Sequence, residues 1–137
     1  MSPESLRTAG ILLIILPTVI FGGVSVLTLL IRDPRYRQNP LRQQLWRAGH
    51  AHAGVLLILS LVALFYVDQT ALAPAWKTFV RNAIPSSAIF LPVAFFLSVL
   101  KPDAQKPNRL INLAYVGAVV LAAGLLVLGV GLVQATG

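Results

Sequence analysis

Cysteine is absent from the chain, and charged side chains make up only 11% of it. The first absence excludes disulfides, thiolate metal sites and cysteine nucleophiles, and leaves the redox compartment open. The second sets the chain apart from soluble domains, in which roughly a quarter of the residues are charged. Acid is scarcer still, with 4 Asp and Glu against 11 Lys and Arg. Glu4, Asp33, Asp68 and Asp103 all lie at the ends of apolar runs or between them, so no carboxylate is embedded. Without an embedded acid, a cysteine or a Ser-His-Asp set, the sequence argues against an enzyme. The net charge of +7 is not a nucleic-acid signal, because the basic residues fall in loops between apolar runs. There they read as topology signals and lipid-headgroup contacts.

What the chain has in quantity is hydrocarbon, with 57% apolar residues. Four runs, at about 9–31, 48–67, 80–100 and 110–133, are of the length that crosses a bilayer. They predict an all-α, four-helix transmembrane bundle of up-down-up-down order, with residues 1–137 forming a single integral membrane domain. The first run exceeds the roughly 7–15 residues of a signal-peptide core. It is followed by Arg32-Asp33-Pro34 rather than a small-residue cleavage site, so it is expected to remain in the mature protein.

Helix boundaries are marked by capping residues followed by proline. Ser2-Pro3-Glu4 opens the first helix and Asn39-Pro40 the second, while Asp68 closes the second. Pro17 and Gly22-Gly23 suggest a kink or a close helix approach in the first span. Trp76, Phe79, Val80 and Ala83 share one helical face, which predicts a short interfacial segment with Lys77 and Arg81 toward water. The run from Ile84 to Leu100 is short for a crossing, and extending the helix back toward Trp76, with a bend at Pro85, repairs it. Gly117, Gly124 and Gly131 recur every seventh residue of span four, a spacing that suits a packing stripe. A faint echo between Leu16-Pro17 and Leu91-Pro92, and between Asn39-Pro40-Leu41-Arg42 and Pro107-Asn108-Arg109-Leu110, raises a parallel repeat of two hairpins.

Orientation follows from the basic residues. Arg32, Arg35, Arg37, Arg42 and Arg47 in loop one, with Lys101, Lys106 and Arg109 in loop three, outnumber Arg7, Lys77 and Arg81 on the other side. The bias puts loops one and three in the cytoplasm and both termini outside, in a cell (inner) membrane. The five loop-one arginines are also candidate contacts for anionic lipid headgroups.

The only two histidines, His50 and His52, sit near the start of span two. An ionisable group at the edge of a lipid span is a functional-site candidate. Positions two apart on a helix point about 200° apart, so the pair cannot chelate one metal together. His50 shares its side with Gly49, Ala53, Gly54 and Ser60, which predicts that it is the buried one. His52 lies with Val55, Leu56 and Leu59 on a more lipid-like face. Asn108, Asn112 and Tyr115 start span four at a similar depth and are candidate polar partners. Three roles stay open for the histidines: interhelix or headgroup hydrogen bonding, ligation of a haem iron or metal, and proton relay or gating.

The stretch Gly49-His50-Ala51-His52-Ala53-Gly54-Val55-Leu56 resembles the His-x-His helix start of small membrane proteins related to the haem-copper oxidase catalytic subunit. It is also similar to small four-span proteins of bacterial membranes. The resemblance implies at most one haem ligand, His50 or His52. The Asn-Leu-Leu-Gly type continuation is replaced here by Ala53-Gly54-Val55-Leu56, and the further histidines of an oxidase are missing. The expected function is a non-enzymatic membrane protein that binds a hydrophobic or haem-like ligand, or serves as an accessory subunit of a larger membrane complex. A homo-oligomer is expected, since four helices enclose little interior of their own. The alternative is a small channel or transporter subunit with a histidine at its pore or gate.

Overall fold

The computed structural model describes residues 1–136. Proline occupies the first turn of α1 (Pro3–Arg32), the one-turn α2 (Pro34–Arg37), α3 (Pro40–Val67) and α4 (Pro74–Ser98). A 3-10 turn, Arg109–Asn112, leads into α5 (Leu113–Gln134). Proline suits these starts because the amide it lacks is unpaired there in any case. Three starts are also capped by side chains. The Ser2 hydroxyl accepts from the Ser5 amide at 3.2 Å, the Asp33 carboxylate from Arg35 at 2.9 Å and the Asn39 side chain from Arg42 at 3.0 Å. No strand occurs among the described residues. Helices α1, α3 and α4, and α5 with its leading turn, are long and apolar enough to cross a membrane.

The ends of the helices alternate. Ser2 at the start of α1 meets Asp68 at the end of α3, and Gly131 near the end of α5 lies against Leu72. At the opposite end Asn39 donates to the carbonyls of Pro102 (3.1 Å) and Ala104 (3.0 Å), joining the α1–α3 connection to the α4–α5 loop. The result is an all-α, up-down-up-down bundle.

Helix α4 is its centre. It runs unbroken through Pro85 and Pro92, so the interfacial segment read around Trp76 is the first turns of the spanning helix. In its most apolar stretch 39% of the residues are buried, against 6% in α1. Ala63, Val67, Val80, Ile84 and Leu128 join α3, α4 and α5 in one buried cluster, and Leu12, Leu57 and Leu64 join α1 to α3 in another. The Gly117, Gly124 and Gly131 stripe faces inward. A methyl on Gly117 would lie 2.7 Å from Leu91 Cδ1, on Gly124 2.8 Å from Ile84 Cγ1, and on Gly131 2.6 Å from Leu72 Cγ. The stripe therefore sets how closely α5 approaches α4 and the loop before it.

The carboxyl end of α4 is satisfied group by group, which fixes the end of the bundle where α3 begins. Trp46 Nε1 donates to Phe96 O at 3.2 Å, Asn108 Nδ2 to Leu97 O at 2.9 Å and the Asn108 amide to Ser98 O at 2.8 Å. Arg42 Nη2 donates to Leu100 O at 3.3 Å. Its guanidinium lies 4.2 Å from the Trp46 ring centroid and 5.8 Å from that of Tyr36. Arg42 is only 7% exposed, which corrects its assignment as a lipid-headgroup contact. Four residues apart on one helix, Arg42 and Trp46 are neighbours, and the guanidinium lies over the ring. Tyr36 is fully enclosed in the same cluster, and burial pushes its phenol above the usual tyrosine range. Arg32, Arg35, Arg37 and Arg47 remain exposed at this end, and Arg37 Nη1 donates to Ile31 O at 2.7 Å.

Candidate functional site

Helix α1 leans on α3 and diverges from α4. Between α1 and α4, floored by α3, runs a groove of about 500 Å³. Ile11, Ile15, Val19 and Gly22 line it from α1, Ala53 and Leu57 from α3, and Pro85, Ile89, Val93 and Phe96 from α4. His50 stands at one end, Arg81 and Asn82 at the other. From Arg81 to Phe96, the groove's outermost lining residues on α4, the helix rises about 22 Å. The groove therefore covers most of a hydrocarbon core of roughly 30 Å.

Two features of α4 shape this wall. Pro85 and Pro92 have no amide hydrogen to give the carbonyls of Arg81 and Ala88. Arg81 and Ala88 both line the groove. Ser86 and Ser87 turn their hydroxyls back on their own helix, donating to Ala83 O at 2.9 Å and Ile84 O at 2.6 Å. Apart from the Ala88 carbonyl, the middle of the groove presents mostly hydrocarbon.

A polar cluster holds the Arg81 end. Arg81 Nη2 contacts Asp68 Oδ1 at 2.7 Å, the one ion pair among the described residues. Arg81 also donates to the hydroxyls of Ser5 (2.9 Å) and Ser2 (3.1 Å). Asp68 further accepts from the Ser2 amide at 2.6 Å and the Ser5 hydroxyl at 3.1 Å. Burial alone would push the Asp68 carboxyl up. The Ser2 amide, Arg81 and the two hydroxyls outweigh it and hold the group down at about 2. Arg81 therefore does not face water, as its position in an amphipathic pattern implied. It ties α4 to α1 and α3. Sequence reasoning took Asp68 only as a helix stop, although a lone acid at the end of one span and a lone arginine near the start of the next are the signal for such a pair.

His50 and His52 face different neighbours, as their spacing requires, and both are half-buried. His50 sits in a notch of α1 made by Gly22 and Gly23. A methyl on Gly23 would lie 2.9 Å from both Cε1 and Nε2 of its ring. His52 lies against Phe95 of α4, with ring centroids 5.2 Å apart. Its Nδ1 is 2.7 Å from Ala48 O. Since a carbonyl only accepts, Nδ1 is the donor in this contact. The expected partners on span four are not brought to His50. Asn108 caps the 3-10 turn and bonds α4, Asn112 is exposed, and Tyr115 is 72% exposed, whereas His50 faces α1. The pairing failed because a similar depth says nothing about which helices are neighbours.

These residues do not fit a haem. The Cε1–Nε2 edge of His50 abuts α1 at Gly23, which leaves no room for a porphyrin plane on that nitrogen. His52 is not among the residues that line the groove. Among the described residues no three His, Asp or Glu side chains cluster as a metal site.

No family model, curated protein or solved structure matches the chain.

Proposed function

We propose that this small multi-pass membrane protein binds a hydrophobic ligand without catalysing a reaction, and that the ligand is one lipid-like hydrocarbon chain held in the groove between α1 and α4. The single observation that carries this reading is the shape and lining of the groove. The groove runs along α1, α3 and α4 for about 22 Å, a length that an extended alkyl chain can follow. Its wall is mostly hydrocarbon through the middle and polar at both ends. Its volume also falls within the roughly 300–1,000 Å³ of small-molecule sites.

Native mass spectrometry of the detergent-extracted protein tests it. One retained lipid per chain is expected. Ala53→Phe and Ile89→Trp, each filling the groove, should lower the retained fraction about ten-fold, equivalent to about 1.4 kcal/mol. Val62→Phe, on an exposed face of α3 outside the groove, should leave it unchanged. Lipid retained equally by all four proteins contradicts the reading. The same spectra give the stoichiometry of the homo-oligomer or larger complex proposed alongside it, which the sparse burial of α1 supports.

The Lys and Arg bias supports loops one and three facing the cytoplasm of a cell-membrane protein. Because the chain has no cysteine, single cysteines can be placed at will. Gln105→Cys should be blocked only by membrane-permeant thiol reagents in intact cells, and Thr136→Cys also by impermeant ones. The reverse pattern contradicts this orientation.

A further inference from the structure

Beyond the apolar groove, and resting on the reading that it holds a lipid chain, we propose that the protein selects the headgroup of that lipid. The structure assigns the selection to a polar vestibule between the first turns of α1 and α4, and its charges point to a zwitterionic head carrying a phosphate and a primary ammonium.

The vestibule is a second cavity, of about 330 Å³, that shares Thr8, Ile11, Arg81 and Asn82 with the groove. A chain lying in the groove therefore has its polar end in this space. Two facing sets of side chains line it. Glu4, Arg7 and Thr8 lie at helical spacing on α1, and Thr78, Arg81 and Asn82 lie at the same spacing on α4.

The charges are balanced but separated. Arg81 is neutralised by Asp68, yet only its Nε and Nη2 are engaged, and Nη1 has no protein partner among the described residues. Glu4 and Arg7 stand three residues apart on one helix without forming an ion pair with each other. Arg7 is thus an exposed guanidinium paired with no carboxylate, beside a Glu4 carboxylate that no cation contacts directly. A phosphate suits Arg7 and the free edge of Arg81, because guanidinium N–H groups match phosphate oxygens in geometry and charge. The Glu4 carboxylate is an acceptor for an ammonium that can donate hydrogen bonds. A quaternary ammonium has no N–H to give, and an anionic head leaves Glu4 opposing like charge. The chemistry therefore favours a phosphoethanolamine-type head over a phosphocholine or phosphoglycerol one. This separation of charge is distinct from the opposite end of the bundle, where Arg32, Arg35, Arg37 and Arg47 outnumber Asp33 and Asp103 and suit anionic lipid without finer discrimination.

The test is competitive binding by native mass spectrometry of the full chain, delipidated and then titrated with equimolar phosphatidylethanolamine, phosphatidylcholine and phosphatidylglycerol of identical acyl chains. Retention of phosphatidylethanolamine about ten-fold above each of the others is expected. Glu4→Gln should bring phosphatidylethanolamine and phosphatidylcholine level while lipid is still retained. Arg7→Gln should lower retention of all three. Both residues are exposed on the first turns of α1, so neither change removes a buried contact. Equal retention of the three lipids, blocked by Ala53→Phe, would overturn the headgroup selection and leave the groove reading standing. Preference for phosphatidylglycerol would also overturn it. Retention of no lipid by any protein would overturn both.

Discussion

Gly124→Leu is expected to part α5 from α4 and to lower the thermal unfolding midpoint of the detergent-solubilised protein. Even one methyl at Gly124 would come within 2.8 Å of Ile84 Cγ1, 3.2 Å of Ala83 Cβ and 3.5 Å of the Ile84 backbone nitrogen. Ile84 is completely buried at the junction of α3, α4 and α5 and has nowhere to move. Overpacking of this kind costs about 1–3 kcal/mol, and a leucine adds three more carbons than the methyl. Gly129→Leu supplies the control on the same helix, because a methyl there meets nothing within 4 Å. It should leave the midpoint unchanged or raise it, since leucine is the better helix former. Equal losses at both positions would mean that crowding against α4 is not the cause at Gly124.

The second large effect is expected at Asp68. Asp68→Ala removes the partner of Arg81 and leaves a guanidinium whose side chain is only 13% exposed. It also strands the Ser2 amide and the Ser5 hydroxyl. Removing one member of such a pair costs about 3 kcal/mol, and the loss should be greatest in the docking of α1, which has few other buried contacts. Arg81→Ala alone should be comparably harmful. The double variant should be less harmful than the two single effects added together, because neither charge is then stranded. The pH dependence has a definite sign. Asp68 titrates near 2 in the folded protein against 3.8 ordinarily. Its contribution is therefore complete above about pH 4 and is lost as the pH falls toward 2. Unfolding midpoints of the wild type should drop across that window, and those of Asp68→Asn should stay flatter. Parallel curves for the two proteins would exclude the linkage.

The spans and their starts were legible because each rests on local chemistry. Hydropathy over some twenty residues marks a crossing, and Ser2-Pro3 and Asn39-Pro40 carry their own capping atoms. The glycine stripe was legible as a face, though not as the face that meets Leu91, Ile84 and Leu72. Residues whose role depends on which helices are neighbours were misread. Arg42 and Arg81 looked like interfacial cations, yet one stacks on Trp46 and the other pairs with Asp68. Span four offered candidate partners for His50 at a similar depth, whereas its ring fills the gap that Gly22 and Gly23 open in α1. The groove was not legible at all. It arises because α1 packs on α3 and meets α4 at only a few points, and no short stretch of sequence records which helices pack closely.

The most direct measurement is photo-crosslinking in bilayers, using a phospholipid with a diazirine along one acyl chain and peptide mapping of the adducts. Labels are expected to concentrate on the groove residues Ile15, Val19, Ile89 and Val93, and to leave them when Ala53→Phe fills the groove. Labels spread evenly over exposed residues outside it, such as Ile14, Phe21 and Ile58, and unchanged by Ala53→Phe, would contradict a chain-binding site between α1 and α4.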